Sequence, residues 1–243
     1  MSRFIALFIS IFFINVIYSQ STFPYEKGEL AKYSIYFGPI EVGSASLEVK
    51  NIVSINGKNA YHIIGEGRTA FFFDWFFKVR DIYETYIDTQ TLLPVKFKRN
   101  ISEGGYKISQ TYNYIHKKNI VVTKDSTYQI DNNSQDMLSA FFYARTFDKE
   151  IIKETNIFYI PIFMDEENYL LEIEYLYNEV LDTEIGKIKC MVFKPKMQEG
   201  RVFQDGEKMK IWISDDARHL LLKVETQIWA GLIKAELSDY KEK

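Results

Sequence analysis

A single cysteine, Cys190, leaves the chain without any intramolecular disulfide, so its core alone must hold the fold. Histidine is almost as scarce. His62, His116 and His219 stand far apart, without H-x-H or H-x-x-x-H spacing, which removes local support for metal ligation; no metal and no cofactor is expected. Five prolines and no low-complexity tract exclude a long disordered linker. Basic residues are dispersed, and a formal charge of -3 gives no electrostatic footprint for nucleic acid. Catalytic signatures are missing too. Gly43-Ser44-Ala45-Ser46 lacks the G-x-S-x-G elbow, and Cys190, between Lys189 and Met191 in an apolar strand pattern, has no nameable base to make it a thiolate.

The one long apolar run lies at the start. Arg3 supplies a positive charge, residues 4–17 are apolar except Ser10 and Asn15, and Tyr18-Ser19-Gln20 offers a cut after Ser19. That is the three-part plan of a secretory signal peptide. About fourteen residues fall short of the roughly 20 that a spanning helix needs, so cleavage of 1–19 is expected over a retained anchor. No later segment would span a membrane as a helix. Acylation at the cut needs a cysteine there, so the product is expected to be periplasmic or envelope-associated and not a lipoprotein. Export makes ATP, NAD and nucleic acid remote partners, and lipids, glycans and envelope proteins near ones.

What remains, residues 20–243, reads as one β-rich domain. Aromatics reach 16%, with 17 Tyr and 19 Phe, and favour strands. Leu30, Lys32, Ser34 and Tyr36 alternate with Ala31, Tyr33, Ile35 and Phe37, and Gly38-Pro39 turns the chain back. Asn56-Gly57 is a hairpin turn, because both residues tolerate positive φ. Similar strand patterns recur at 78–87, 94–101, 106–115 and 120–124, then at 156–162, 169–178, 187–196, 208–214, 220–229 and 232–238. A helix is expected near 136–147, with Asp136 as N-cap and Leu138, Phe141, Phe142 and Arg145 on one face. The hairpin around 81–97 and that around 209–224 resemble each other at an offset of roughly 127 residues. This suggests two related meanders, about 24–124 and 150–241, joined by the helix.

Two features could carry function. Phe71-Phe72-Phe73-Asp74-Trp75-Phe76-Phe77 sets six aromatic side chains in seven positions, as a plug for one end of a curved sheet, the lining of an apolar pocket, or a membrane-touching loop. Glu172 and Glu174 share a sheet face, as the paired carboxylates of a glycosidase must, roughly 5–10 Å apart; such acids are more often the solvated side of a strand. Asp215-Asp216 reads as a turn, and Trp212 and Trp229 as core or as sugar platforms.

Gly28-Glu29-Leu30 with Tyr33-Ser34-Ile35-Tyr36-Phe37-Gly38-Pro39-Ile40 and Val42-Gly43, the block Asp136-Met137-Leu138-Ser139-Ala140-Phe141-Phe142-Tyr143-Ala144-Arg145, and Ile211-Trp212-Ile213-Ser214-Asp215-Asp216 followed by Gly231-Leu232-Ile233-Lys234-Ala235-Glu236-Leu237 resemble the bacterial family "domain of unknown function 3108". Leu220 and Leu221 stand where that family often has a proline after the Asp-Asp turn. The resemblance implies an envelope location and a β-rich fold, but no reaction. The hairpin unit is also similar, at fold level alone, to periplasmic lipoprotein-carrier proteins.

The expected fold is mainly β, a strongly curved antiparallel sheet or open β-barrel of about eleven to thirteen strands with one or two short helices. The helix and the Phe-rich segment should cover its concave face. The expected function is non-catalytic binding of a lipid-like or other apolar small molecule. Phe71, Phe72, Phe73, Trp75, Phe76, Phe77, Phe141, Phe142 and Tyr143 are the candidate lining, and Arg145 is expected to orient a head group at the rim. A structural role on an envelope protein partner is the alternative, and glycan binding or hydrolysis the second.

Overall fold

Alternating apolar and polar side chains draw most of the described residues into hydrogen-bonded ladders. The computed structural model describes residues 24–196, 209–228 and 231–242; the expected signal segment 1–19 and Trp229 lie outside them. The strands are β1 (Leu30–Phe37), β2 (Ile40–Ile55), β3 (Lys58–Thr69), β4 (Arg80–Asp88), β5 (Pro94–Glu103), β6 (Tyr106–Ile115), β7 (Ile120–Val122), β8 (Thr127–Gln129), β9 (Ile157–Met164), β10 (Glu167–Thr183), β11 (Gly186–Lys196), β12 (Lys210–Ser214), β13 (Leu221–Ile228) and β14 (Gly231–Lys241). Two helices, α1 (Met137–Ala144) and α2 (Lys149–Thr155), lie between β8 and β9. The 14 strands form one antiparallel sheet in the order β8-β7-β6-β5-β4-β3-β2-β1-β14-β13-β12-β11-β10-β9. Each half of the chain is a meander, and the first and last strands join the halves through eight residue pairs from Leu30↔Lys241 to Phe37↔Ile233.

The expected open, curved sheet is present, with one strand more than the upper expectation. The short β8, with two of its three residues polar, leaves no alternation to read. The sheet does not close into a continuous barrel. Its edges meet at one parallel bridge, where Gln135 N–H donates to Pro161 O (2.8 Å) and Phe163 N–H donates to Gln135 O (2.9 Å). Beside it Asn168 Nδ2 donates to Gln129 O (2.8 Å), and Arg99 pairs with Asp165 across the same seam.

Helix α1 forms where Asp136 can cap it. One carboxylate oxygen accepts from Leu138 N–H (2.9 Å) and Ser139 N–H (2.7 Å), while Ser139 Oγ accepts from Asp136 N–H (2.8 Å), a complete capping box. The other oxygen accepts from Thr85 Oγ1 (2.6 Å), which fixes the helix start to β4. The helix then crosses the concave face and divides it. Leu138 and Phe142 enter a core with Tyr25, Ile63, Phe97 and Phe163. Ala140 packs the other way, against Ile160 and Ile162.

The end of α1 is fixed by one ion pair. Arg145 and Glu29 are both buried, and the guanidinium forks onto the carboxylate at 2.6 and 3.1 Å. Arg145 also donates to Pro24 O (2.6 Å) and Arg218 O (3.0 Å), and its carbonyl pairs with His219 Nδ1 at 2.7 Å. The rings of Tyr25 and Phe142 lie at 5.4 and 5.3 Å from its guanidinium carbon. The N-terminal segment, α1 and the β12–β13 turn therefore meet on one side chain. The turn itself is closed by Asp216, which accepts from Ser214 Oγ (2.8 Å) and Arg218 N–H (3.0 Å).

A buried charge that loses its partner is costly. Glu29→Ala and Arg145→Ala should each lower stability by about 3–5 kcal/mol in guanidinium titrations. The double variant E29M/R145M should lose less than the sum of the two single changes, because no charge is left unpaired.

Candidate functional site

The concave face beyond α1 is not filled. A cavity of about 250 Å³ lies between α1, α2 and the inner side of β9–β12. Its helical wall is Met137, Ala140, Phe141 and Ala144, spaced i, i+3, i+4, i+7, so one stripe of α1 faces it. Its sheet wall comes from every second residue of three neighbouring strands: Tyr169, Leu171 and Ile173 on β10, Met191, Phe193 and Pro195 on β11, and Ile211 and Ile213 on β12. Small alanines on the helix opposite large side chains on the sheet hold the space open. Apolar cavities of this kind stay dry and take apolar ligands: about 150 Å³ is enough for a small aromatic.

Among the described residues, two ionisable side chains other than Tyr169 border the space, and both are already engaged. Arg145 is bound to Glu29, and His219 to the Arg145 carbonyl. Arg145 thus borders the cavity as a buried side chain, with its charge neutralised inside the protein. It is not at a rim, and the expected head-group role does not match this geometry.

The other predicted residues separate. Phe141 lines the cavity, Phe142 is buried in the opposite core, and Tyr143 stacks edge-on against Phe147 (5.1 Å). The Phe-rich segment does not cover the concave face at all. Phe71–Phe73 is a single 3-10 turn on the β3–β4 connection, and Phe71, Phe72, Trp75 and Phe76 are 83%, 81%, 85% and 79% exposed. Its aromatics are too closely spaced to share a core-facing stripe, and Asp74 turns back to Arg80 (2.6 Å), which leaves the rings outside. The wall residues on β10–β12 were absent from the expected lining. Their alternation was the available signal, with Leu171 and Ile173 facing in between Glu172 and Glu174.

Those two glutamates stand on the outer side, opposite Lys196 and Lys194 in the β10–β11 register, away from the cavity. Cys190 is buried, and burial pushes its thiol pKa up, the wrong direction for a nucleophile. Trp212 is a core residue beside Val192 and Tyr33. No group of three or more His, Cys, Asp or Glu among the described residues is placed to hold a metal. A second, polar cavity of about 540 Å³ lies on the other side of β1–β4, between Lys32, Ser46, Glu66 and Arg68.

The sequence profile of DUF3108, a protein family of unknown function, matches residues 32–238. Among solved structures, a β-barrel-like protein of the domain of unknown function DUF1849 from Brucella abortus superimposes with a TM-score of 0.57 at 8% identity, over 88% of this chain and 97% of that chain. A Bacteroides fragilis protein with a YmcC-like fold gives a TM-score of 0.34 at 10% identity, over 90% of this chain and 98% of that one. The first likeness shows the barrel-like fold and nothing about a ligand. No curated protein matches the sequence.

The head of α1 carries a carboxylate whose environment disfavours its charge. Asp136 is fully buried, and burial raises its pKa from 3.8 to about 6 despite the hydrogen bonds from Thr85 and the helix start. The folded state therefore holds this proton more tightly than the unfolded chain. Its stabilising effect is complete below pH 3.8 and fades as the pH rises through about 6. Asp136→Asn keeps the cap without the charge. Relative to wild type it should gain stability across that window, by up to about 3 kcal/mol, when denaturant midpoints are compared at successive pH values.

Proposed function

The chain belongs to the DUF3108 family, and we propose from its cavity that it is an exported, non-catalytic binding protein whose concave face holds a lipid-like or otherwise apolar ligand. One observation carries this reading. A space of about 250 Å³ is walled mainly by hydrocarbon and thioether groups, and among the described residues its one permanently charged side chain, Arg145, is spent on Glu29. Its volume lies just below the roughly 300–1,000 Å³ usual for small-molecule sites. A polar substrate would lose its hydration here for few donors or acceptors in return. An acyl chain or a flat apolar ring system loses nothing by entering.

Among the described residues the wall carries no serine, cysteine, lysine or carboxylate, which supports binding over turnover. The expected export rests on Arg3 and the apolar run at 4–17. No helix among the described residues is long and apolar enough to cross a membrane. Glu172 and Glu174, the best candidates for glycan chemistry, face solvent beside lysines and add nothing to a glycosidase reading.

Native mass spectrometry of protein purified from its own envelope without detergent tests this directly. A mass excess that disappears on extraction with organic solvent is the expected outcome. Ala144→Phe and Ile213→Phe fill the cavity from opposite walls and should remove that excess while the folded protein remains. A bare wild-type mass, or an excess unchanged in both variants, would overturn the reading.

A further inference from the structure

We propose that the β3–β4 connection is a membrane-docking tip, which inserts Phe71, Phe72, Trp75 and Phe76 into the surface of a lipid bilayer. These four side chains are 79–85% exposed, and Phe77 beside them is 48% exposed. Large aromatics so completely in water are costly for a protein that can bury them, and a patch of this kind marks a contact surface.

The tip is built, not frayed. Phe73 N–H donates to Ala70 O (2.8 Å), and Phe76 and Phe77 N–H both donate to Phe73 O (3.0 and 2.9 Å). Thr69 Oγ1 donates to Asp74 Oδ1 (2.8 Å) and accepts from Val79 N–H (3.0 Å). Arg80 holds both oxygens of Asp74, at 3.0 and 2.6 Å. The one charged residue of the segment is thus folded back into the base of the loop. Its partner Arg80, followed by Thr69, keeps the Asp74 carboxyl below its usual range. What projects is hydrocarbon and one indole.

The neighbouring turns extend the same surface. Antiparallel strand order brings the β1–β2, β3–β4 and β5–β6 connections to one end of the sheet. Ile40 and Phe37 on the first and Tyr106 on the third are also exposed, and Phe77 packs on Gly104 of the third. Of the charged residues within two positions of these turns, Arg68, Lys78 and Lys107 balance Glu41, Asp81 and Glu103, once the Asp74–Arg80 pair is set aside, so no net negative charge repels a membrane surface. An apolar tip of Phe and Trp side chains without net charge around it has the chemistry of an interfacial anchor. A protein partner would be expected to meet several polar groups that fix its register, and the four projecting side chains offer one, the Trp75 indole N–H. The end of β11 and the start of β12 lie at this same end, and Pro195 and Met209 there line the cavity. Docking would therefore bring that part of the cavity wall towards the bilayer. The reason for docking rests on the cavity taking an apolar ligand; the docking itself does not.

The test is flotation of the purified protein with vesicles of phosphatidylethanolamine and phosphatidylglycerol. Vesicles with brominated acyl chains then report on Trp75 by fluorescence quenching. Wild type should float and be quenched. Trp75→Phe should still float but lose most of the quenching. F71S/F72S/W75S should partition at least about a hundredfold more weakly, with an unchanged thermal midpoint and an unchanged extractable mass. Wild type that stays in the dense fraction would overturn the proposal. So would equal flotation of the triple variant, or a wild-type dimer that the triple change dissolves into monomers. Flotation of a wild-type protein whose mass is bare would leave the docking standing and remove the ligand reading instead.

Discussion

The buried pairing of Arg145 with Glu29 is the constraint on which the interior depends. A guanidinium taken out of water must find acceptors for its donors, and here they come from three places. Glu29 lies at the start of β1, Pro24 just before it, and Arg218 on the β12–β13 turn. Because Arg145 terminates α1, satisfying one side chain sets where the helix ends, where the chain enters the sheet and how the C-terminal meander packs. Thr85 performs the matching task at the other end of the helix through Asp136. With both ends held, α1 cannot sink into the sheet.

That suspension explains the cavity. A helix free to slide would collapse onto β9–β12 and fill the space, as cores ordinarily do. Held by Asp136 and Arg145, it instead presents Ala140 and Ala144 to Tyr169, Leu171 and Phe193, with too little volume to close the gap. The apolar space is a consequence of two polar anchors. The division of α1 into two faces follows as well: Leu138 and Phe142 complete the N-terminal core, and the stripe beginning at Met137 faces the cavity.

Much of this fold was legible in the residues. Alternation located all but one strand, Asn56-Gly57 takes positive φ at the β2–β3 turn, and Asp136 caps α1 as its chemistry suggests. The resemblance to the DUF3108 family extends across almost the whole sheet. Distances between faces were not legible. Periodicity put Leu138, Phe141, Phe142 and Arg145 together, yet Phe141 turns to the cavity, Phe142 to the opposite core, and Arg145 lies between the two. Only the position of the helix over the sheet decides that. Arg145 reads as a rim residue from its charge, and its burial depends on Glu29, 116 positions away. The Phe-rich run reads as plug, pocket lining or membrane-touching loop by composition, and one local pair, Asp74 with Arg80, folds its charge back and leaves the rings outside. Helix α2 escaped because Lys149–Thr155 is short and offers only Ile152 to the core.

The pairing of the first strand with the last has a kinetic meaning. In the middle of the sheet β1 has β2 on one side and β14 on the other, and β14 is made some two hundred residues later. Until it arrives, β1 is an open edge, and the N-terminal meander has an unprotected flank on which another copy could add a strand. Contacts so distant in sequence are slow to form. For a chain made from its N terminus, the central ladder could be completed only after some two hundred further residues had emerged. Strand β14 would then act as the fastener of the sheet, and a chain stalled just before it would expose two half-sheets prone to aggregation.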